Sequence, residues 1–123
     1  MAEQTQDTHG PGLRIHVTGR EGEARRIAVC GDLDIATAET LRAVFAGASG
    51  ESVSRIVVDL SGVSFCDSSG LSALVDAEAA ARAAGIRFTL ARPHHRMAEL
   101  LRITCLDRHF HIAAEVPTGS ARH

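Results

Sequence analysis

The run Ile56-Val57-Val58-Asp59-Leu60 constrains this chain more than any other segment. A near-continuous apolar stretch from Arg55 to Leu60, rich in β-branched residues, reads as a strand in a sheet covered on both faces. It ends in the small polar turn Ser61-Gly62, and a helix then begins at two adjacent serines, Ser68 and Ser69. That order of events, strand to turn to helix, fixes the architecture expected of the rest.

Upstream, Leu13-Arg14-Ile15-His16-Val17 alternates with period two, as a half-exposed strand does. A Gly-rich turn at Gly19-Arg20-Glu21-Gly22 separates it from Arg26-Ile27-Ala28-Val29-Cys30, and the two are expected to form an antiparallel hairpin. Ala38, Leu41, Val44, Phe45 and Ala48 recur at helical spacing, with Thr37 placed to cap and Ser49-Gly50-Glu51-Ser52 ending the helix. Downstream, Leu71, Leu74, Val75, Ala79 and Arg82 mark one side of the next helix, closed by Gly85. A strand from Ile86 to Leu90 follows. Pro93 then suits the first turn of a helix whose inner stripe is Met97, Leu100, Leu101 and Thr104. Phe110-His111-Ile112 is a short final strand.

This order gives one α/β domain: a mixed, mostly parallel sheet with packed helices and an antiparallel hairpin at its N-terminal edge. The domain is expected over residues 13–114, with residues 1–12 as a flexible leader and 115–123 as a flexible tail. At 123 residues the chain has room for one modest core.

Composition removes several classes of function. All 13 basic residues are arginine, which excludes a P-loop lysine, a Schiff-base lysine and the lysine of a phospho-receiver site. Asp59 ends its apolar run as a receiver aspartate would, but no acidic pair follows the first strand. A net charge of −2 gives no long-range attraction to nucleic acid, and no apolar run approaches the roughly 20 residues of a membrane span. With no Trp or Tyr, base-stacking platforms are missing. The three cysteines, Cys30, Cys66 and Cys105, lie singly among apolar residues and read as buried small hydrophobes in a reducing, cytoplasmic compartment. Cys105, His109 and His111, with His94 and His95, share no recognised metal-ligand spacing. His94 and His95, after the proline, are expected to be solvated. No metal, no cofactor and no catalytic residue is expected.

The segment Asp67-Ser68-Ser69-Gly70 has three readings. Ser and Asp can simply cap the helix by satisfying orphan N–H groups. A catalytic serine is disfavoured, because the Gly-x-Ser-x-Gly spacing is missing and no Asp–His pair accompanies it. The third reading is a regulatory phosphoacceptor, since a helix N-terminus tolerates added negative charge.

Two motifs resemble the STAS domains of bacterial anti-sigma factor antagonists, a likeness that runs from about Leu13 to Ile112. Gly31-Asp32-Leu33-Asp34 with Thr37-Ala38-Glu39-Thr40-Leu41-Arg42 is similar to that family's first loop and helix. Val57-Val58-Asp59-Leu60 with Phe65-Cys66-Asp67-Ser68-Ser69-Gly70-Leu71 is similar to its phosphorylation segment. The resemblance implies a phosphoacceptor at Ser68, with Ser69 as the rival acceptor and helix cap. It implies a partner that is both an anti-sigma factor and a serine kinase, and a phosphoserine phosphatase that restores the binding form. Partner contact is expected from Asp34, Thr37, Asp67, Ser68, Ser69 and Gly70; self-association stays open. The chain itself would be a substrate of the kinase, not an enzyme, acting on transcription by partner switching. The runner-up reading is a non-switching STAS adaptor in another assembly, such as lipid transport or a sensory complex. Two departures from the family pattern stand out. Cys105 occupies a position after the third helix where many relatives have glycine, so that the turn is either strained or rebuilt; and many relatives end in a further amphipathic helix, for which 113–123 has little periodicity.

Overall fold

The structure is a computed structural model that describes residues 4–10, 12–19, 24–49 and 53–115. Six strands form one sheet in sequence order: β1 (Gln4–Gly10), β2 (Leu13–Gly19), β3 (Ala24–Leu33), β4 (Arg55–Cys66), β5 (Arg87–Ala91) and β6 (His111–Ala113). β1, β2 and β3 pair antiparallel; β3, β4, β5 and β6 pair parallel. The parallel neighbours are joined through α1 (Ala38–Ala48), α2 (Ser68–Ala83) and α3 (His95–Ile103), and a short 3-10 turn, Leu106–Arg108, precedes β6.

One core runs through the molecule. Ile15, Val17, Ile27, Val29, Ile56, Val58, Leu60, Phe88 and Leu90 meet Leu41 and Phe45 of α1, Leu71 and Leu74 of α2, and Met97 and Leu101 of α3. Phe88 bridges the rings of Phe45 and Phe110 at centroid distances of 5.8 and 6.3 Å. The alternate residues Val57, Asp59, Thr89 and Ala91 are buried as well, so β4 and β5 are covered on both sides, as the apolar run implies. On β2 and β3 the alternate residues Arg14, His16, Arg26 and Cys30 are exposed.

Several elements differ from the sequence reading. Residues 4–10, expected in a leader without structure, pair with β2 along their whole length; residues 1–3 and 11 lie outside the described residues. The segment QTQDTHG contains no apolar residue, so no hydrophobic periodicity announces it. β4 continues six residues past Leu60, because the Ser61-Gly62 pair is a ladder irregularity and not a turn. The β3–β4 register shifts between Ala28 and Cys30, and a Cβ on Gly62 would lie 2.6 Å from Cys30 Sγ. On α2, Ala73 and Ala81 are buried while Ala79 and Arg82 are exposed, and on α3 Thr104 is exposed. Cys30 and Cys105 are exposed and Cys66 is half-buried, so the cysteines are not the core hydrophobes expected of them; all three are free. The turn at 20–23, the segment 50–52 and the tail beyond 115 lie outside the described residues.

Helix ends follow capping chemistry. Gly85, at φ +77°, closes α2 with its N–H on Arg82 O at 3.1 Å and the Ile86 N–H on Ala81 O at 2.8 Å. Cys105 takes the same left-handed conformation after α3, at φ 63°. Pro93 lies outside α3. Its cap is His94, whose Nδ1 accepts the Met97 N–H at 3.3 Å while Nε2 donates to Val63 O. His94 is therefore a structural tie between α3 and β4, not a solvated side chain.

Candidate functional site

The two loops singled out in the sequence meet at the ends of neighbouring strands. Leu33 pairs with Cys66 at the close of β3 and β4, and the Asp67 N–H donates to Leu33 O at 3.0 Å. Gly70 completes the junction. A Cβ there would stand 2.5 Å from Leu33 O and 2.6 Å from Leu33 Cβ, so the start of α2 lies directly on β3 only because residue 70 has no side chain.

Asp67 is the N-cap of α2. Its Oδ1 accepts the Ser69 N–H at 2.8 Å and the Gly70 N–H at 3.2 Å, satisfying two of the helix's orphan donors. The cap expected of Ser69 therefore falls to Asp67, since the carboxylate already holds the amides a serine hydroxyl would take. Ser68 is the first residue of α2 and is exposed; Ser69 is half-buried. Neither hydroxyl makes a hydrogen bond among the described residues. The thiol of Cys66, next to the cap, is pushed up to about 12 by burial, with the Asp67 charge adding to the shift, and it is inert at neutral pH.

The adjoining β3–α1 loop is braced from within. Asp34 Oδ1 accepts the N–H groups of Ala36 and Thr37 at 3.0 and 3.2 Å. The Thr37 hydroxyl donates to Asp32 O at 2.8 Å and accepts the Asp34 N–H at 3.0 Å. Thr37 is the N-cap position of α1, yet its side chain faces back into the loop and makes no cap bond. It is 1% exposed, which places it inside the loop and leaves Asp34 as its more accessible neighbour. Held by these bonds, the loop projects Ile35 into solvent at 81% exposure.

Sequence reasoning missed this apolar surface. Ile35, Phe65 and Ile103 are the exposed large hydrophobic residues among those described. Ile35 carried a usable signal, an apolar residue in a polar loop outside the register of the following helix. Phe65 and Ile103 sit at the ends of amphipathic elements and gave none. Asp59, by contrast, is structural. It lies in the sheet, 3.2 Å from Arg26 and 3.9 Å from Arg92, and accepts the Ser61 N–H at 3.0 Å. Burial raises its carboxyl, but the Ser61 backbone and hydroxyl, Arg26 and the charge of Arg92 outweigh that and hold it below the ordinary carboxylate range. Among the described residues no group of three His, Cys, Asp or Glu side chains is gathered for a metal; His109 instead lies 3.1 Å from Glu78 of α2. No described helix is long and apolar enough to cross a membrane.

A mixed sheet with an antiparallel N-terminal edge, three crossover helices and an exposed serine opening the second of them defines a STAS-type domain. The chain belongs to the family described as Mlab, STAS domain, whose model matches residues 16–114. No protein of curated function matches it in sequence. Among solved structures, an anti-sigma factor antagonist domain protein from Planctomyces limnophilus matches with a TM-score of 0.68 at 20% identity, over 84% of this chain and 91% of that one. The anti-sigma factor antagonist SpoIIAA matches in its unphosphorylated form with a TM-score of 0.60 at 20% identity, over 93% and 90% of the two chains. Its phosphorylated form, from Bacillus, matches at 0.59 and 23%, over 91% and 93%. The murine anion transporter, solute carrier 26 family member A9, matches at 0.64 and 23%, over 80% of this chain and 17% of the transporter. At these identities the structures share the fold.

Proposed function

We propose that this protein is a cytoplasmic anti-sigma factor antagonist switched by phosphorylation at Ser68. The observation that carries the reading is the state of that serine: exposed, free of any hydrogen bond among the described residues, and seated on a helix start whose amides are already held by Asp67. SpoIIAA, which shares the fold, exists in unphosphorylated and phosphorylated forms. In this reading the bare form binds an anti-sigma factor that is also a serine kinase, through Asp34, Thr37 and the 67–70 segment. Phosphorylation by that partner releases it, and a phosphatase resets it. The protein performs no chemistry of its own and needs no cofactor.

The magnitudes suffice. A phosphate adds about −1.5 to −2 charge at pH 7 beside the Asp67 carboxylate. The helix N-terminus offsets roughly 0.3–1 kcal/mol of this within the domain. Burying the same charge unpaired under a partner costs several kcal/mol, and about 3 kcal/mol already weakens binding more than a hundredfold. The test is to incubate the protein with a candidate anti-sigma kinase and ATP, map phosphate by mass spectrometry, and measure binding of wild type, Ser68→Ala and Ser68→Asp. Phosphate on Ser68, with binding kept by alanine and lost by aspartate, is the expected result.

A second reading is a constitutive STAS adaptor in another assembly, of lipid transport or sensing. The family description, Mlab, STAS domain, and the occurrence of the fold within an anion transporter support it. It is favoured if no kinase labels the protein and partner binding ignores Ser68.

A further inference from the structure

Two of the three exposed apolar residues lie together. Phe65 and Ile103, 53% and 62% exposed, line one groove of about 250 Å3 between the end of β4 and α3, with Val63, Met97 and Leu100 along it and Arg96 among its lining residues. Glu99 also lines the groove, but it is paired with Arg102; the unpaired charges around the groove have opposite signs on opposite sides. On one side Asp32 is the register partner of Phe65 across β3 and β4, which places the two residues on the same face of the sheet. On the other side stands Arg96 of α3. Neither Asp32 nor Arg96 has an ion-pair partner among the described residues, whereas Arg102 and Glu99 of α3 pair with each other.

An apolar centre between one unpaired anion and one unpaired cation is self-complementary, as an isologous contact must be, because each copy offers both halves of every contact. We infer that this face is an isologous interface between two copies of the chain. Rotation about an axis near Phe65 stacks the two apolar grooves and sets Arg96 of one copy against Asp32 of the other, twice. The apolar patch is small beside that of an obligate dimer, so the pair is a weak, concentration-dependent one.

Sedimentation velocity over low micromolar to near-millimolar protein tests this. Wild type is expected to show a reversible monomer–dimer equilibrium. Phe65→Ser and Ile103→Ser, both at exposed positions, should each weaken it by at least about tenfold with unchanged circular dichroism. Asp32→Arg and Arg96→Glu should each be monomeric alone, and an equimolar mixture of the two should recover the dimer, since one ion pair then keeps its native polarity and the other forms with its charges exchanged. A wild type that stays monomeric throughout, an equilibrium indifferent to all four substitutions, or a mixture that does not recover would each overturn the inference. A monomeric wild type whose Phe65→Ser variant loses an anti-sigma kinase would assign the groove to that partner instead, and would leave the switch at Ser68 intact.

Discussion

The Asp67 carboxylate holds the Ser69 amide at 2.8 Å, and in doing so it takes the helix start on which Ser68 sits. The same oxygen accepts the Gly70 N–H, so a single side chain satisfies two donors that a phosphate on Ser68 would otherwise find free. Asp67→Ala is expected to lower stability by about 1 kcal/mol through loss of the cap. Asp67→Asn keeps an acceptor at the same position and should cost less. Urea denaturation of the two variants separates the cap from the charge; equal losses would show that the negative charge, not the hydrogen bonds, stabilises this end of α2.

Asp59 makes stability depend on acid. Its folded carboxyl lies below the ordinary value of 3.8, so the unfolded chain binds a proton more readily than the folded one does. The stabilisation is therefore complete above 3.8 and is lost as pH falls through the lower, folded value. Asp59→Asn, which leaves Arg26 and Arg92 without their counter-ion, should cost on the order of 1–2 kcal/mol at neutral pH. Arg26 is half exposed, so water takes up part of the loss. Thermal melts from pH 7 to pH 3 should show the gap between wild type and variant narrowing at the acid end. A gap that is constant over that range would contradict the assignment.

Cys105 holds a left-handed backbone conformation, φ 63°, ψ 15°, with an ordinary side chain. For residues bearing a Cβ this region costs roughly 1 kcal/mol, and glycine adopts it freely. Glycine also gains entropy in the unfolded chain, which takes back part of the benefit. Cys105→Gly is thus expected to raise stability by about 0.5–1 kcal/mol, seen as a higher urea midpoint at unchanged slope. A lower midpoint would mean that the exposed thiol contributes more than the strained backbone costs.

How much of this was legible beforehand depends on whether neighbours compete for one role. The spacing of Leu41, Phe45 and Ala48 admits one helical face, and the structure buries all three. The left-handed turn at Cys105 was readable only through the family resemblance, not from the local residues. At the start of α2, by contrast, Asp67, Ser68 and Ser69 are all competent caps, and only the path of the chain out of β4, tied to Leu33 O, selects Asp67. The extension of β4 was hidden for a similar reason. Ser61-Gly62 reads as a turn in isolation, and it becomes part of a strand only because Cys30 of β3 comes within reach of Gly62. His94 was misread because Pro93 was expected inside the helix, whereas it precedes the cap, and the Val63 carbonyl that holds the ring is 31 residues away.

The glycines of two helices offer the sharpest contrast in sign. Gly70 sits in the first turn of α2 against Leu33, where a Cβ would approach the backbone oxygen to 2.5 Å. That oxygen also accepts the Asp67 N–H, so it cannot withdraw without loosening the junction between the two loops. Gly70→Ala should therefore destabilise by about 1–3 kcal/mol and disturb the Ser68 environment. Gly47 lies in the last turn of α1, and a Cβ there meets nothing within 4 Å. Gly47→Ala should stabilise by roughly 0.5–1 kcal/mol, by helix propensity and by a less disordered unfolded chain. Denaturation midpoints that move in opposite directions, with amide shifts near Ser68 changed only by the residue-70 variant, are the expected outcome. A neutral Gly70→Ala would mean that α2 can lift away from β3, and the two loops would then not form one rigid surface around the serine.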